Sequence, residues 1–254
     1  MEVSQLIDTH IHVGQYFDQY YSPTYVSNFM AGVGVAHCAV SSTTMCEENY
    51  EKVLDELHEL IRMDGNRVLP IMWITPEGLK GNIAWFLESD IQWRCVKVHP
   101  ELHPDDWDPD GEQFAEVLDI VRELDLPLLI HTGNKDCCLC SKYETLIASN
   151  PDVTFILAHG RPLTDAIRIA STYTNAYVDT AFMPVDEICE LVNHELCSKI
   201  LWGTDMCIPH HFFPDVDLKS YYQKKLCGLK SICTTEQYEM ITYTNAWRVF
   251  KIPK

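Results

Sequence analysis

The stretch CVKVHP, residues 95–100, has the apolar alternation of a buried strand but carries a lysine and a histidine inside it. Successive side chains of a strand point to opposite faces. Val96 and Val98 therefore share one face, and Lys97 and His99 share the other. A lysine on a sheet interior needs a role, and that role depends on the kind of sheet the rest of the chain builds.

Short apolar runs rich in β-branched residues recur along the chain. The first four cover 5–11, 35–41, 67–74 and 94–99; the next four cover 126–131, 153–159, 176–181 and 199–205. Each is short enough for a strand covered on both faces. Helical spacing fills the intervals. Tyr50, Val53, Leu54, Leu57, Leu60 and Ile61 recur at three and four within 46–63, and Phe114, Val117, Leu118, Val121 and Leu124 within 112–124. Shorter periodic segments occupy 161–171 and 185–196. A first helix is expected with Ser22 as N-cap, Pro23 at its first position and Gly32 at its end, and a last one over 234–250. Strand alternating with helix eight times predicts an α/β fold: a (β/α)8 TIM barrel, one domain over 1–254. An open doubly wound sheet is the competing architecture. The longest connection, 206–233, is expected to carry a helix near 218–227 and to overhang the barrel mouth.

Composition narrows the partners. With 46% hydrophobic and 22% charged residues, the chain has ample core for a globular domain. A formal net charge of −18 disfavours nucleic-acid phosphates and anionic membrane surfaces, and equally serves solubility. The opening residues MEVSQLIDTH lack a basic region followed by an apolar one, and no apolar run reaches the roughly 18 residues a membrane helix needs. Eleven cysteines without a leader read mostly as reduced thiols of a cytoplasmic protein, with Cys38 and Cys95 as core fillers.

Barrel enzymes place their chemistry at the C-terminal ends of the strands. Those ends carry His10 and His12, Lys97 and His99, His131, His159 and Asp205. Two imidazoles one strand step apart share a face and can bind one metal ion, with Asp8 on the same parity below them as a supporting partner. Histidine with carboxylate suits zinc, and manganese or iron less selectively.

The motifs DTHIH (8–12), IHTG (130–133), LAHGRP (157–162) and WGTD (202–205) occur in this order, ahead of a closing NAWRVF (245–250). Together they resemble the amidohydrolase superfamily over nearly the whole chain. The match is to the amidohydrolase-related group of metal-dependent hydrolases and decarboxylases. The resemblance implies that His10 and His12 bind a first divalent metal, which Asp205 also ligates while taking a proton from the attacking water. It implies that His131 and His159 bind a second ion. In single-metal members His131 ligates the one ion, and His159 is an acid/base or substrate-polarising residue. A bound divalent ion lowers the pKa of water from about 15.7 toward 7, and a neighbouring carboxylate accepts the proton.

For Lys97 the resemblance offers a carbamate, formed with carbon dioxide and bridging two metals, or an unmodified ammonium that anchors a substrate carboxylate or carbonyl. A lysine reaching past the rim into solvent is the third reading. The implied activity is attack of activated water on an amide, ester or lactone carbonyl of a small-molecule substrate. Non-oxidative decarboxylation of a small unsaturated or aromatic acid is the rival activity. A catalytically silent metal-binding barrel is the rival from another class. No nucleic-acid or membrane partner is expected, and a homo-oligomer is left open.

Further candidates lie on the rim loops. His99 is a substrate contact or a structural hydrogen-bonding group. Arg161 can hold an anionic substrate by a bidentate pair or form a salt bridge to a loop carboxylate. His210 and His211 line the pocket or are exposed, and Glu101 and His103 share that ambiguity. Cys46, Cys137, Cys138, Cys140 and Cys207 assemble a separate zinc or redox site, or are reduced loop thiols.

Overall fold

A computed structural model describes residues 6–253; residues 1–5, part of the stretch read as leader-free, lie outside the described residues. The strands are β1 (Ile7–Tyr16), β2 (Gln19–Tyr21), β3 (His37–Ser42), β4 (Val68–Trp73), β5 (Cys95–Val98), β6 (Leu128–His131), β7 (Phe155–Ala158), β8 (Ala176–Asp179) and β9 (Ile200–Leu201). The helices are α1 (Pro23–Val33), α2 (Tyr50–Asp64), α3 (Ala84–Leu87), α4 (Glu112–Leu124), α5 (Glu144–Ser149), α6 (Leu163–Thr172) and α7 (Val185–Asn193). They continue with α8 (Pro209–Phe212), α9 (Leu218–Ile232), α10 (Thr235–Glu239) and α11 (Asn245–Val249).

All nine strands form one curled sheet in the order β2-β1-β3-β4-β5-β6-β7-β8-β9. Every pairing is parallel except β1 with β2, a hairpin that the alternation did not predict. A doubly wound sheet reverses its strand order at a switch point; this order runs straight through, which removes that alternative. Main-chain bonds also cross from the last strand to the first. Thr9 N donates to Trp202 O at 2.8 Å and Asp205 N to His10 O at 2.8 Å, with an isolated bridge between Ile11 and Met206. β1 is therefore bonded to the segment that follows β9.

The elements begin and end where local chemistry says they should. The Ser22 side chain accepts from Tyr25 N to cap α1, and Gly34, not Gly32, ends it in a left-handed conformation (φ 76°). The expected helix over 46–63 starts late. Glu48 is left-handed (φ 53°) and separates a short 3-10 turn from α2, which Asn49 caps. The expected helix over 234–250 is interrupted by a π turn at Met240–Thr244. The connection after β9 does carry a helix, α9, capped by Asp217.

Two apolar bodies hold the sheet. Outward residues such as Val96, Val98 and Leu157 pack with Val117, Ile147 and Ile169 of the surrounding helices. Inward residues, among them Ala39, Ile71, Cys95, Leu129 and Ile156, form a plug closed from below by Val249, Phe250 and Ile252. Phe250 is 1% exposed, so truncating it to alanine would cost about 3–5 kcal/mol. This plug fills the strand starts and leaves the C-terminal ends open as a cavity. Among the described residues no helix is long and apolar enough to cross a membrane.

Candidate functional site

The site is built on the seam of the sheet. In β1 the pairing register shifts between Asp8 and Ile11. Ile7 faces the inner plug, whereas Asp8 pairs with Cys38, an outward-packed residue. This corrects the expectation that Asp8 sits below the histidines on their face. Its carboxyl accepts from His10 N at 3.1 Å, Thr204 Oγ1 at 2.6 Å and Thr204 N at 3.2 Å. It thereby ties the irregular step of β1 to the turn presenting Asp205. Burial raises its pKa to about 7 against the lowering effect of these bonds.

The irregular step delivers His10 and His12 to the cavity, where both Nε2 atoms approach Asp205 Oδ1, at 3.4 and 2.8 Å. His10, His12 and Asp205 form a group whose ligand atoms all lie within 4.8 Å of one another. Burial alone would raise the Asp205 carboxyl. The neighbouring imidazoles of His10, His12 and His159 and the His12 hydrogen bond outweigh it and hold the group well below the usual range.

Each imidazole is oriented through its other nitrogen. His10 Nδ1 lies 3.4 Å from Asp179 Oδ1, His12 Nδ1 lies 3.3 Å from Ser41 O, and His159 Nδ1 lies 3.1 Å from Ala181 O. His131 reverses the pattern: its Nε2 meets Glu101 Oε2 at 3.1 Å while its Nδ1 faces His159 Nε2 at 3.2 Å. Partners of this kind fix tautomer and ring direction in metal sites. Burial, reinforced by neighbouring positive groups, lowers His12 to about 4 and His159 to about 3. Both rings are neutral at physiological pH, as metal ligation requires. The donor set thus fits a divalent ion.

Two of these residues sit in unusual backbone. His159 (φ 67°) and Asp205 (φ 62°) are left-handed, a conformation costing on the order of 1–3 kcal/mol for such residues. Ala158 faces the inner plug, so alternation would turn His159 outward. The reversal at His159 brings it onto the cavity wall instead.

Lys97 is 1% exposed, its Nζ 3.2 Å from His10 Nε2 and 4.5 Å from the centre of the Trp73 ring. It does not reach solvent. Burial lowers its pKa, with Asp205 partly offsetting. His99 stacks between Trp73 and His131, ring centres 5.3 and 3.7 Å apart. Burial and the surrounding positive groups push it well below the ordinary range. The Glu101 carboxyl is lowered to about 2, first by the His131 hydrogen bond and then by Lys135, with burial opposing.

These residues line one cavity of about 1000 Å³. Arg161 also lines it, but its guanidinium is bound to Glu187 at 2.7 Å. His210, expected at the substrate, is not on the cavity wall; its ring stands 6.4 Å from that of Tyr21. Of the loop thiols, Cys137 and Cys138 are neighbours, with Cys140 close by. Cys138 joins Glu101 and His131 in a second potential ligand group, Cys46 lines the cavity, and Cys207 is buried.

Asp179 is the residue that sequence reasoning missed. Fully buried at the end of β8, it accepts from Thr9 Oγ1 and Ala181 N while orienting His10. Its signal was an aspartate ending an apolar run. Gly203 leaves it room: a Cβ there would stand 2.1 Å from Asp179 Oδ2.

The comparisons with known proteins agree with the fold. The model of the family described as Amidohydrolase matches residues 7–252. No curated protein matches the chain. An uncharacterized TIM-barrel protein from Bordetella bronchiseptica superposes with a TM-score of 0.73 at 16% identity, over 97% of this chain and 98% of that one. A probable 2-pyrone-4,6-dicarboxylic acid hydrolase from Acinetobacter baumannii, solved with citric acid, gives 0.67 at 14% identity, over 97% and 99%. The 5-carboxyvanillate decarboxylase of Novosphingobium aromaticivorans, solved with manganese, gives 0.67 at 10% identity, over 97% and 96%. At such identities the likeness is one of fold.

Proposed function

The chain belongs to the amidohydrolase family, and on that premise we propose that it is a metal-dependent hydrolase acting on a carbonyl of a small molecule. The observation that carries the reading is the Asp205 carboxylate, held ionised 2.8 Å from His12 and 3.4 Å from His10 at the floor of the cavity. His10, His12 and Asp205 would hold one ion, zinc by donor type, with manganese or iron as alternatives. His131 and His159 would hold a second with Lys97 in its carbamylated form. Bound there, the metal supplies an acidified water and polarises the substrate oxygen. Asp205 accepts the proton of the attacking water, while Asp179, Ser41, Ala181 and Glu101 keep the four rings aimed into the cavity.

The carbamate is favoured by the setting of Lys97. An ammonium 3.2 Å from a ligand nitrogen repels a divalent ion, and burial that lowers its pKa exposes the neutral amine that carbon dioxide needs. We further read the bonded seam as closure of a complete (β/α)8 barrel in one domain. The free thiols suit a reducing, cytoplasmic setting.

Turnover in heavy-oxygen water tests the hydrolase, because hydrolysis places the label in the acid product. Release of carbon dioxide with no label in the remaining organic product would favour the second reading, a decarboxylase. One observation supports that reading: among the described residues Lys97 has no carboxylate within ion-pair distance, so an unmodified ammonium is free to hold an acid substrate.

A further inference from the structure

The cavity has two unlike halves. Its floor is the polar cluster, but one wall is aromatic from floor to mouth. The His159 ring lies 6.4 Å from Phe182, and Phe182 meets Phe212 edge-on at 5.7 Å. Phe212 meets His211 at 5.2 Å, and His211 stacks on Phe17 at 5.1 Å with planes 18° apart. Phe17, Phe212 and Phe213 line the cavity, yet they are 71%, 56% and 50% exposed. Large apolar side chains left exposed round one cleft mark a binding surface.

The charges of the rim point the same way. Among the described residues lining the cavity, Lys135 is paired with Glu101 at 2.7 Å and Arg161 with Glu187 at 2.7 Å. The remaining lysine, Lys97, is buried on the floor. A negative group on the outer part of a ligand would find no unpaired Lys or Arg there, and Glu47 also lines the cavity.

We infer that the substrate carries, away from its reacting carbonyl, an uncharged aryl or similarly flat apolar group that packs against Phe182, Phe212 and Phe17. This deepens the proposed hydrolysis and rests on it only for the nature of the reacting end. Binding of the apolar body needs no turnover, so the test uses carbonyl compounds that cannot be hydrolysed. Calorimetric titration of the metal-loaded full chain would compare acetone, acetophenone, acetonaphthone and para-acetylbenzenesulfonate. Acetonaphthone should bind on the order of tenfold or more tighter than acetone, from ring burial alone. The sulfonate should bind more weakly than acetophenone. Phe182→Ala and Phe212→Ala should each weaken acetonaphthone severalfold; Phe212 is half exposed, so its truncation is compatible with folding. Equal binding of acetone and acetonaphthone, tighter binding of the sulfonate, or no loss in either variant would overturn the inference. Tight acetonaphthone binding with no hydrolysis of any aryl ester would sink the hydrolase alone; hydrolysis without aryl preference would sink this inference alone.

Discussion

The carboxylate of Asp179 stands 3.4 Å from Nδ1 of His10, across the seam of the sheet and 169 residues along the chain. It also holds Thr9 and the Ala181 amide, so one buried acid sets the direction of a ligand ring it does not replace. Asp179→Asn keeps the shape and removes the charge. Metal affinity should fall about 10–100-fold, as for other partners of ligand histidines, measured by titration against a competing chelator. Gly203→Ala should do the same by displacing Asp179. Unchanged affinity in both variants would show that His10 needs no orientation.

Asp205→Asn should leave the fold intact and remove most turnover, about a hundredfold or more if the group is the proton acceptor. Activity would be read alongside elemental analysis. Near-normal turnover at normal metal content would refute the assigned role.

Acid should destabilise the metal-free protein. His12 and His159 fall from 6.5 to about 4 and about 3 on folding. Between pH 6.5 and 4 the unfolded chain binds protons there that the folded chain does not, so stability rises with pH across that window. His99 and His131 shift in the same direction. Asp8, raised by burial to about 7, has the opposite sign: it favours the folded state at low pH and loses that contribution as pH rises through 7. Glu56 is also raised by burial, but four imidazoles outnumber these two carboxyls, so urea midpoints should drop steadily from pH 6.5 to 4.5. A flat profile would contradict the buried neutral rings.

Lys97→Ala should lose the second ion while keeping the first, and added formate or acetate should restore part of the lost metal and activity by standing in for the carbamate. Carbon NMR of protein equilibrated with labelled carbon dioxide should show the carbamate directly. Two ions retained by Lys97→Ala without any added carboxylate would leave the lysine no bridging role.

The residues that made the site legible in sequence were polar groups at the ends of apolar runs. His10, His12, Lys97, His131, His159 and Asp205 all stand out this way and all reach one cavity. Asp179 ends a strand in the same way, but a lone carboxylate there looks like any turn residue. Asp8 departs from its expected face for a different reason: alternation assumes a regular strand, and the register shift after it cannot be seen in spacing. The β2 hairpin is a local turn of only three paired positions, too short to show as an alternating run, and the pairing of Arg161 with Glu187 depends on how two elements pack. Periodicity carries no information about either. His210 lies on a connection with no repeating pattern, where only the folded loop decides which ring faces the cavity.

The central claim is that the strand ends at this seam hold a catalytic divalent metal. Equilibrium dialysis of the full chain against zinc and against manganese, followed by elemental analysis, tests it most directly, with His10→Ala and His12→Ala as controls. The account predicts one or two ions bound per wild-type chain, and loss of the first ion in either variant. No uptake by the wild-type chain, or full occupancy in both variants, would contradict it.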